Sequence, residues 1–257
     1  MLIIAIPKSA STALVATLSK AHALPIRTRE IRDEVLLRRP IADDYWHVAQ
    51  FHRRDFVELD DSVARVTASR ELLAKFHFPP TPRNQAVLRG TPKVILLRDA
   101  QEIVSAYRRG EESGAWPTKS YEFAYCFSEA GWQERARETG LLRELSNFAI
   151  GWRAHDGEKL VLDSAELVAA PEQSLTRIET YFGLRVSGVR ELQQERFSRS
   201  QAAGGRSFAR MLWHRRGLVA KRLLADANRL IVGNSNWANA YLEGRRRSRE
   251  APQPPGD

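Results

Sequence analysis

The chain has 257 residues, of which 43% are hydrophobic and 28% charged, which is typical of a single soluble globular domain. We expect neither a membrane span nor a secretory signal, because no apolar run approaches roughly 18 residues and Pro7 and Lys8 interrupt the first one. A single cysteine, Cys126, excludes an internal disulfide and a cysteine-based metal site, so we expect a cytoplasmic protein. The net charge of +9 indicates an anionic partner.

The N-terminal stretch combines a strand, a tight turn and a helix start. Leu2–Ile6 has the length and β-branched content of a buried parallel strand. After the turn, Ser11 and Thr12 stand where a helix would be capped. Free backbone N–H groups and the positive end of a helix dipole meet at such a turn, which predicts a phosphate or sulfate site. The predicted anion ligands are Pro7, Lys8, Ser9, Ala10, Ser11 and Thr12.

This turn is not a Walker loop, because G-x-x-x-x-G-K-[ST] is missing. It resembles the P-K-S-G-T-T loop of sulfotransferases, which grips the 5′-phosphosulfate of 3′-phosphoadenosine 5′-phosphosulfate (PAPS). Ala10 stands where that family usually has Gly. The resemblance implies that Lys8 contacts the donor and stabilises the departing phosphate. An ordinary buried first strand and helix would show the same apolar pattern.

The next elements are predicted from local pattern. Arg27–Arg39 has helical periodicity and stops at Pro40. The stretch 43–61 lacks a clear period and is expected to form a loop and a short helix. Glu71–Pro79 is predicted to be the second strand, and Lys75 and His77 on it leave the same face. We interpret 82–89 as a connector.

Lys93–Leu97 is the clearest strand of the sequence, and it leads through Arg98 into a predicted helix, Gln101–Arg109. The string KVILLRDAQEIVSAYRRG resembles the second sulfotransferase signature, in which Arg and Ser clasp the 3′-phosphate of PAPS. The resemblance implies this role for Arg98, whose planar fork suits phosphate, and for Ser105. Ser105 falls one residue sooner than in the family, about 100° of helix rotation. Either the helix starts one residue earlier or Ser105 is displaced from the phosphate.

A dense aromatic cluster follows, which either packs in the core and lid or forms an acceptor-binding wall. Its members are Trp116, Tyr121, Phe123, Tyr125, Phe127 and Trp132. Leu141–Trp152 is predicted to be a helix, Lys159–Asp163 a strand and Pro171–Phe182 a helix closed by Gly183. This order again resembles sulfotransferases, so residues 2–184 carry the resemblance.

The predicted fold is α/β: one domain, residues 1–232, with a central parallel sheet flanked by helices. The resemblance implies a P-loop NTPase-like sulfotransferase fold with a helical basic C-terminal extension over residues 196–232. Between Arg196 and Arg249 there are thirteen Lys or Arg against two acids. That basic run is either a solvated face or a contact for an anion. The resemblance to sulfotransferases implies a basic loop over the nucleotide here, for which Arg206 is a candidate. Phe208–Val232 is predicted to form a basic amphipathic helix that either packs on its domain or contacts a membrane surface.

Residues 244–257 are expected to be disordered. A nucleic-acid partner is not favoured, because no zinc finger, RNP motif or paired-helix signature occurs. No His pair adjoins a carboxylate at metal-ligand spacing, so we predict no metal site.

Two candidates for a general base remain. Lys75-Phe76-His77 resembles the Lys-Thr-His of cytosolic sulfotransferases, where the His accepts the acceptor's proton, a task that suits an imidazole. Alternatively, Glu30 or Glu34 lies about as far beyond Lys8 as the catalytic Glu of heparan-type sulfotransferases lies beyond its loop Lys.

The sequence therefore predicts a sulfotransferase that transfers the sulfuryl group of PAPS to a hydroxyl or amine of a small-molecule or glycan acceptor. Transfer would be an in-line displacement assisted by a general base, with PAPS as cosubstrate. Two alternatives stand beside it. One is a nucleotide kinase of similar architecture, and the other is a non-catalytic protein on the same fold that binds anions or nucleic acid.

Overall fold

The centre of the protein is a parallel sheet of four strands in the order β2-β1-β3-β4. The computed structural model describes residues 1–35, 43–52, 55–67, 71–112, 123, 126, 128–193 and six positions between 216 and 227. The strands are β1 (Leu2–Ala5), β2 (Ala74–Phe76), β3 (Lys93–Leu97) and β4 (Lys159–Asp163). Because all three strand pairs are parallel, their carboxyl ends lie at one edge of the sheet.

Helices connect and cover the strands. They are α1 (Ser11–His22), α2 (Thr28–Val35), α3 (Trp46–His52), α4 (Ser62–Thr67), α5 (Pro82–Val87), α6 (Ala100–Glu112), α7 (Glu129–Thr139), α8 (Leu141–Ala154), α9 (Ser164–Ala169) and α10 (Pro171–Phe182). A short 3-10 helix, Asp43–Tyr45, precedes α3. In this part of the chain no helix combines the length and apolar character needed to cross a membrane.

The sheet is buried on both faces, as expected for parallel strands that alternate with helices. Leu2 and Ile4 of β1 point into a core shared with α2, α3, α4, α6, α7 and α8. Ile3 and Ala5 point to the opposite face, where they pack with α1, α9 and α10. The predicted α/β architecture, a central parallel sheet flanked by helices, is thus confirmed.

Two local predictions were wrong. The strand predicted over Glu71–Pro79 is only three residues long, because only Ala74–Phe76 pairs with β1. The predicted connector 82–89 contains α5, in which Thr81 caps the helix by accepting the N–H of Asn84 at 3.2 Å and Pro82 occupies the first turn. This is ordinary helix-start chemistry that the sequence analysis overlooked.

Other predictions match or fall outside the described residues. The bounds of β3, β4 and α10 agree with the predicted ones. Phe123 and Trp132 are fully buried and stack at 4.5 Å, which confirms the core interpretation for these two rings. The other four aromatic residues of the cluster lie outside the described residues, and so does Arg206. Six positions of the predicted C-terminal helix have helical backbone, and Leu223 and Leu224 among them are exposed.

Candidate functional site

The loop between β1 and α1 has the backbone shape of an anion site. Lys8 has φ 63° and Ala10 has φ 61°, both in the left-handed region. Alternation of such residues turns successive backbone N–H groups toward one side, where they form a concave site for an anion. Helix α1 begins at Ser11, so the predicted cap at Ser11 or Thr12 is corrected: Ala10 is the N-cap residue and makes no side-chain cap bond.

Side chains within the loop hold its shape. Ser9 is fully buried, and its hydroxyl donates to the carbonyl of Ile6 at 2.7 Å. Pro7 and Ser11 are also buried, while Thr12 is exposed. The side chain of Ser9 therefore supports the turn of the loop backbone.

Lys8 is the cation of the loop. Its ammonium lies 5.7 Å from the centre of the Tyr107 ring, which is contributed by α6. Burial, and secondarily the nearby positive charge of Lys75, lower the pKa of Lys8 to about 8. A phosphate or sulfate bound nearby would favour the charged form of Lys8 and raise its pKa again.

Arg98 joins this loop to a second site. It follows β3, and its Nη1 donates to the carbonyl of Lys8 at 2.6 Å. Its Nε donates to Glu102 at 2.9 Å. Beside it opens a pocket of about 570 Å³, here called the Arg98 pocket, lined by Arg98, Asp99, Gln101, Glu102, Ser105, Arg109, Glu129 and Gln133.

Ser105 lines the Arg98 pocket in spite of its shortened spacing from Arg98. Helix α6 starts at Ala100, one residue before the predicted start, and Ser105 lies on the helix face toward Arg98. Its hydroxyl is within 3.0 Å of the Gln101 carbonyl and also contacts the carboxylate of Glu129. Its role in phosphate binding stays a prediction.

Glu129 is a pocket residue that the sequence analysis missed. It is the first residue of α7, with Ser128 as the N-cap. Hydrogen bonds from Ser105 and Arg108 lower the pKa of Glu129 to about 2, and the Arg108 bond measures 2.8 Å. Ser128 followed by an acid is a helix-start signal that could have revealed α7.

His77 and Lys75 lie beside the loop at the end of β2. The Nδ1 of His77 is 2.6 Å from the carbonyl of Ala5, which can only accept, so Nδ1 carries the proton. The lone pair of the neutral ring is then on Nε2, which lies 3.5 Å from the ammonium of Lys75. His77 is 7% exposed. This tautomer is the one that a base acting through Nε2 requires.

A buried carboxylate completes this group. Asp55 is 5% exposed, and its Oδ1 lies 2.7 Å from Nη2 of Arg32. Burial raises the pKa of Asp55, although the charges of Arg32 and Lys75 oppose the rise. Burial also lowers the pKa of Lys75, against the attraction of Asp55. We call Arg32, Asp55, Lys75 and His77 the base cluster; no motif in the sequence pointed to Asp55 or Arg32.

The alternative base occupies a different environment. The carboxylate of Glu30 lies 3.6 Å from Nε of Arg27 on the surface of α2, and its side chain is 45% exposed. The side chain of Glu34 lies outside the described residues. Among the described residues no group of three or more His, Cys, Asp or Glu could hold a metal ion.

Comparison with known proteins gives structural matches alone. No family model and no curated protein matches the sequence. A sulfotransferase from Alicyclobacillus acidocaldarius matches with TM-score 0.45 and 13% identity over 85% of this chain and 94% of that one. A mouse sulfotransferase complexed with PAP matches with TM-score 0.46 and 12% identity over 80% of this chain and 63% of that one. A sulfotransferase domain from the curacin biosynthetic pathway matches with TM-score 0.39 and 12% identity over 75% of this chain and 83% of that one.

Proposed function

We propose that the protein is a sulfotransferase that moves the sulfuryl group of PAPS to a hydroxyl or amine of a small-molecule or glycan acceptor. The observation that carries the proposal is the 2.6 Å hydrogen bond from Arg98 to the carbonyl of Lys8. It joins two motifs that are 90 residues apart, so the anion loop and the Arg98 pocket adjoin at the carboxyl edge of the sheet. Ligands of open α/β sheets bind at that edge.

The donor would bind across both parts. The backbone N–H groups of the loop, the start of α1 and the ammonium of Lys8 suit the 5′-phosphosulfate. Arg98 and Ser105 suit the 3′-phosphate, because a guanidinium and a hydroxyl are strong donors to phosphate oxygens.

The reaction would be an in-line displacement at sulfur. The acceptor oxygen or nitrogen forms a bond to sulfur while the bond between sulfur and the bridging oxygen of the 5′-phosphate breaks. The acceptor's proton passes to Nε2 of His77, and the negative charge that develops on the leaving 3′,5′-ADP is stabilised by Lys8. Lys75, next to Nε2, would stabilise the transferring group.

The proposal is tested by thermal-shift and calorimetric titration with 3′,5′-ADP, 5′-AMP and ATP. We expect 3′,5′-ADP to bind about tenfold to a hundredfold more tightly than 5′-AMP, because one charge-assisted contact contributes roughly 1.5–3 kcal/mol. Equal affinity for these two nucleotides would overturn the proposal. Tight binding of ATP with Mg²⁺ would favour the kinase instead, and salt-sensitive DNA binding without nucleotide affinity the non-catalytic alternative.

A further inference from the structure

Several donors in and beside the Arg98 pocket are bonded to the protein's own carboxylates. Arg98 Nε bonds to Glu102, while Ser105 and Arg108 both bond to Glu129. Gln133 adds contacts to Glu129 at 3.2 Å and to the Ser105 hydroxyl at 3.0 Å. A hydroxyl, a guanidinium and an amide that converge on one pair of oxygens form the kind of donor set that binds a phosphate group.

The fold fixes Glu129 in this position. It is the first residue of α7, where the helix dipole favours a negative charge, and Ser128 caps the helix by accepting the N–H of Gly131 at 3.0 Å. The contacts of α7 with α6 bring Glu129 across to Ser105 and Arg108. Secondary structure thus places the backbone of Glu129 next to Ser105 and Arg108.

We infer that Glu129 is a specificity-determining residue whose carboxylate occupies the place taken by the 3′-phosphate of the donor. The inference rests on the proposed function, which assigns that phosphate to Arg98 and Ser105. A 3′-phosphate must displace the carboxylate from Ser105 and Arg108, or else bind beside a negative charge. Glu129 therefore weakens the binding of nucleotides with a 3′-phosphate and leaves those without one unaffected.

The exchange is feasible because the pair is partly exposed. The side chain of Glu129 is 42% accessible and that of Arg108 25%. Ion pairs at such positions have small net energies, so a doubly charged phosphate can compete with the carboxylate. After release of the nucleotide the carboxylate would again pair the donors of the pocket.

The test is calorimetric titration of the full chain and of Glu129→Gln with 3′,5′-ADP and 5′-AMP. Glu129→Gln should bind 3′,5′-ADP about two- to fivefold more tightly than the wild type, the range for removing a partly exposed competing charge. Its affinity for 5′-AMP should be unchanged. Glu129→Ala should show the same gain, which excludes an effect of the new amide.

Glu138→Gln is the matched control, because Glu138 lies on the same helix, is exposed and pairs with Arg135 at 2.9 Å. A gain in that variant equal to the gain in Glu129→Gln would assign the effect to net charge and overturn the inference. A wild type that prefers 3′,5′-ADP, with Glu129 variants that bind it equally or more weakly, would overturn the inference and leave the proposed function standing. If no variant prefers 3′,5′-ADP over 5′-AMP, the proposed function fails and the inference with it.

Discussion

The Arg98 pocket and the base cluster hold their charges in different ways. In the pocket the side chains of Arg98 and Glu129 are 23% and 42% exposed. In the base cluster Asp55 and His77 are almost completely buried. Exposed ion pairs contribute at most about 1 kcal/mol, whereas breaking a buried pair costs about 3–5 kcal/mol. The pocket can therefore exchange partners for a ligand, while the base cluster stays fixed.

This difference would suit the two tasks of the proposed sulfuryl transfer. A donor that enters and leaves in every cycle needs a site whose internal contacts are easily replaced. A base needs a constant orientation, and burial provides it. The loop with Lys8 is connected to both regions. Its backbone carbonyl at Lys8 accepts a hydrogen bond from Arg98, and the charge of Lys75 contributes to the lowered pKa of Lys8.

The largest expected effect is that of removing His77, which should change turnover and leave nucleotide binding in the Arg98 pocket intact. His77→Ala is expected to lower the turnover of radiolabelled PAPS by about 10²–10⁴-fold, the usual loss for a general base. Affinity for 3′,5′-ADP should persist, because His77 is not among the residues that line the Arg98 pocket. Titration and transfer assays on the same preparation measure both.

The control for this prediction is His77→Asn, whose amide N–H can still bond the carbonyl of Ala5. It should be as slow as His77→Ala, which assigns the loss to the base and not to that hydrogen bond. Near-normal turnover of the His77 variants, together with an inactive Glu30→Gln, would move the base to helix α2.

Arg98→Lys should reduce the preference for a 3′-phosphate, and it also alters the contact of Arg98 with the carbonyl of Lys8. Most of the preference for 3′,5′-ADP over 5′-AMP, about tenfold to a hundredfold, should be lost because an ammonium cannot reproduce the guanidinium fork. Arg89→Lys is the matched control, since Arg89 is exposed and pairs with Asp156 at 3.5 Å. Retention of the full preference in Arg98→Lys would show that the 3′-phosphate binds elsewhere.

Lys8 should make donor binding depend on pH. Its pKa of about 8 in the free protein means that an anion must bind together with a proton above that pH. Affinity for 3′,5′-ADP should be constant between about pH 7 and pH 8, where its phosphates are fully ionised, and fall by about tenfold per pH unit above pH 8.

Lys8→Arg should remove this dependence, because its guanidinium stays charged throughout the range. Lys75→Arg should keep the dependence. If the slope above pH 8 survives in Lys8→Arg and vanishes in Lys75→Arg, the proton belongs to the base cluster.

How far the sequence predicts the structure depends on whether a signal is local. β3 could be predicted because its signal is a short apolar run. α10 could be predicted because Pro171 in its first turn and Gly183, with φ 67° at its C-cap, mark its two ends. The length of β2 could not be predicted from the sequence, because it is set by how many of its residues pair with β1. The proximity of Asp55 to Lys75 could not be predicted either, because the two residues are 20 positions apart and only the folded chain brings their charges together.

The smallest expected effect concerns the loop that joins the two regions. Ala10 has φ 61°, a conformation that costs a non-glycine residue about 1–2 kcal/mol. Glycine removes that strain but adds about 0.4–1 kcal/mol of entropy to the unfolded chain. Ala10→Gly should therefore raise the free energy of unfolding by up to about 1.6 kcal/mol, measured by urea denaturation.

The same substitution elsewhere calibrates this result. Ala23→Gly, at φ 53°, should behave like Ala10→Gly, whereas Ala16→Gly, inside α1, should destabilise by about 1 kcal/mol or more. Of these variants only Ala10→Gly alters a predicted anion ligand, so a change in 3′,5′-ADP affinity should be confined to it. If Ala10→Gly destabilised the protein as much as Ala16→Gly, Ala10 would not hold the left-handed conformation in solution. The concave arrangement of N–H groups between Lys8 and Arg98 would then have to form when the donor binds.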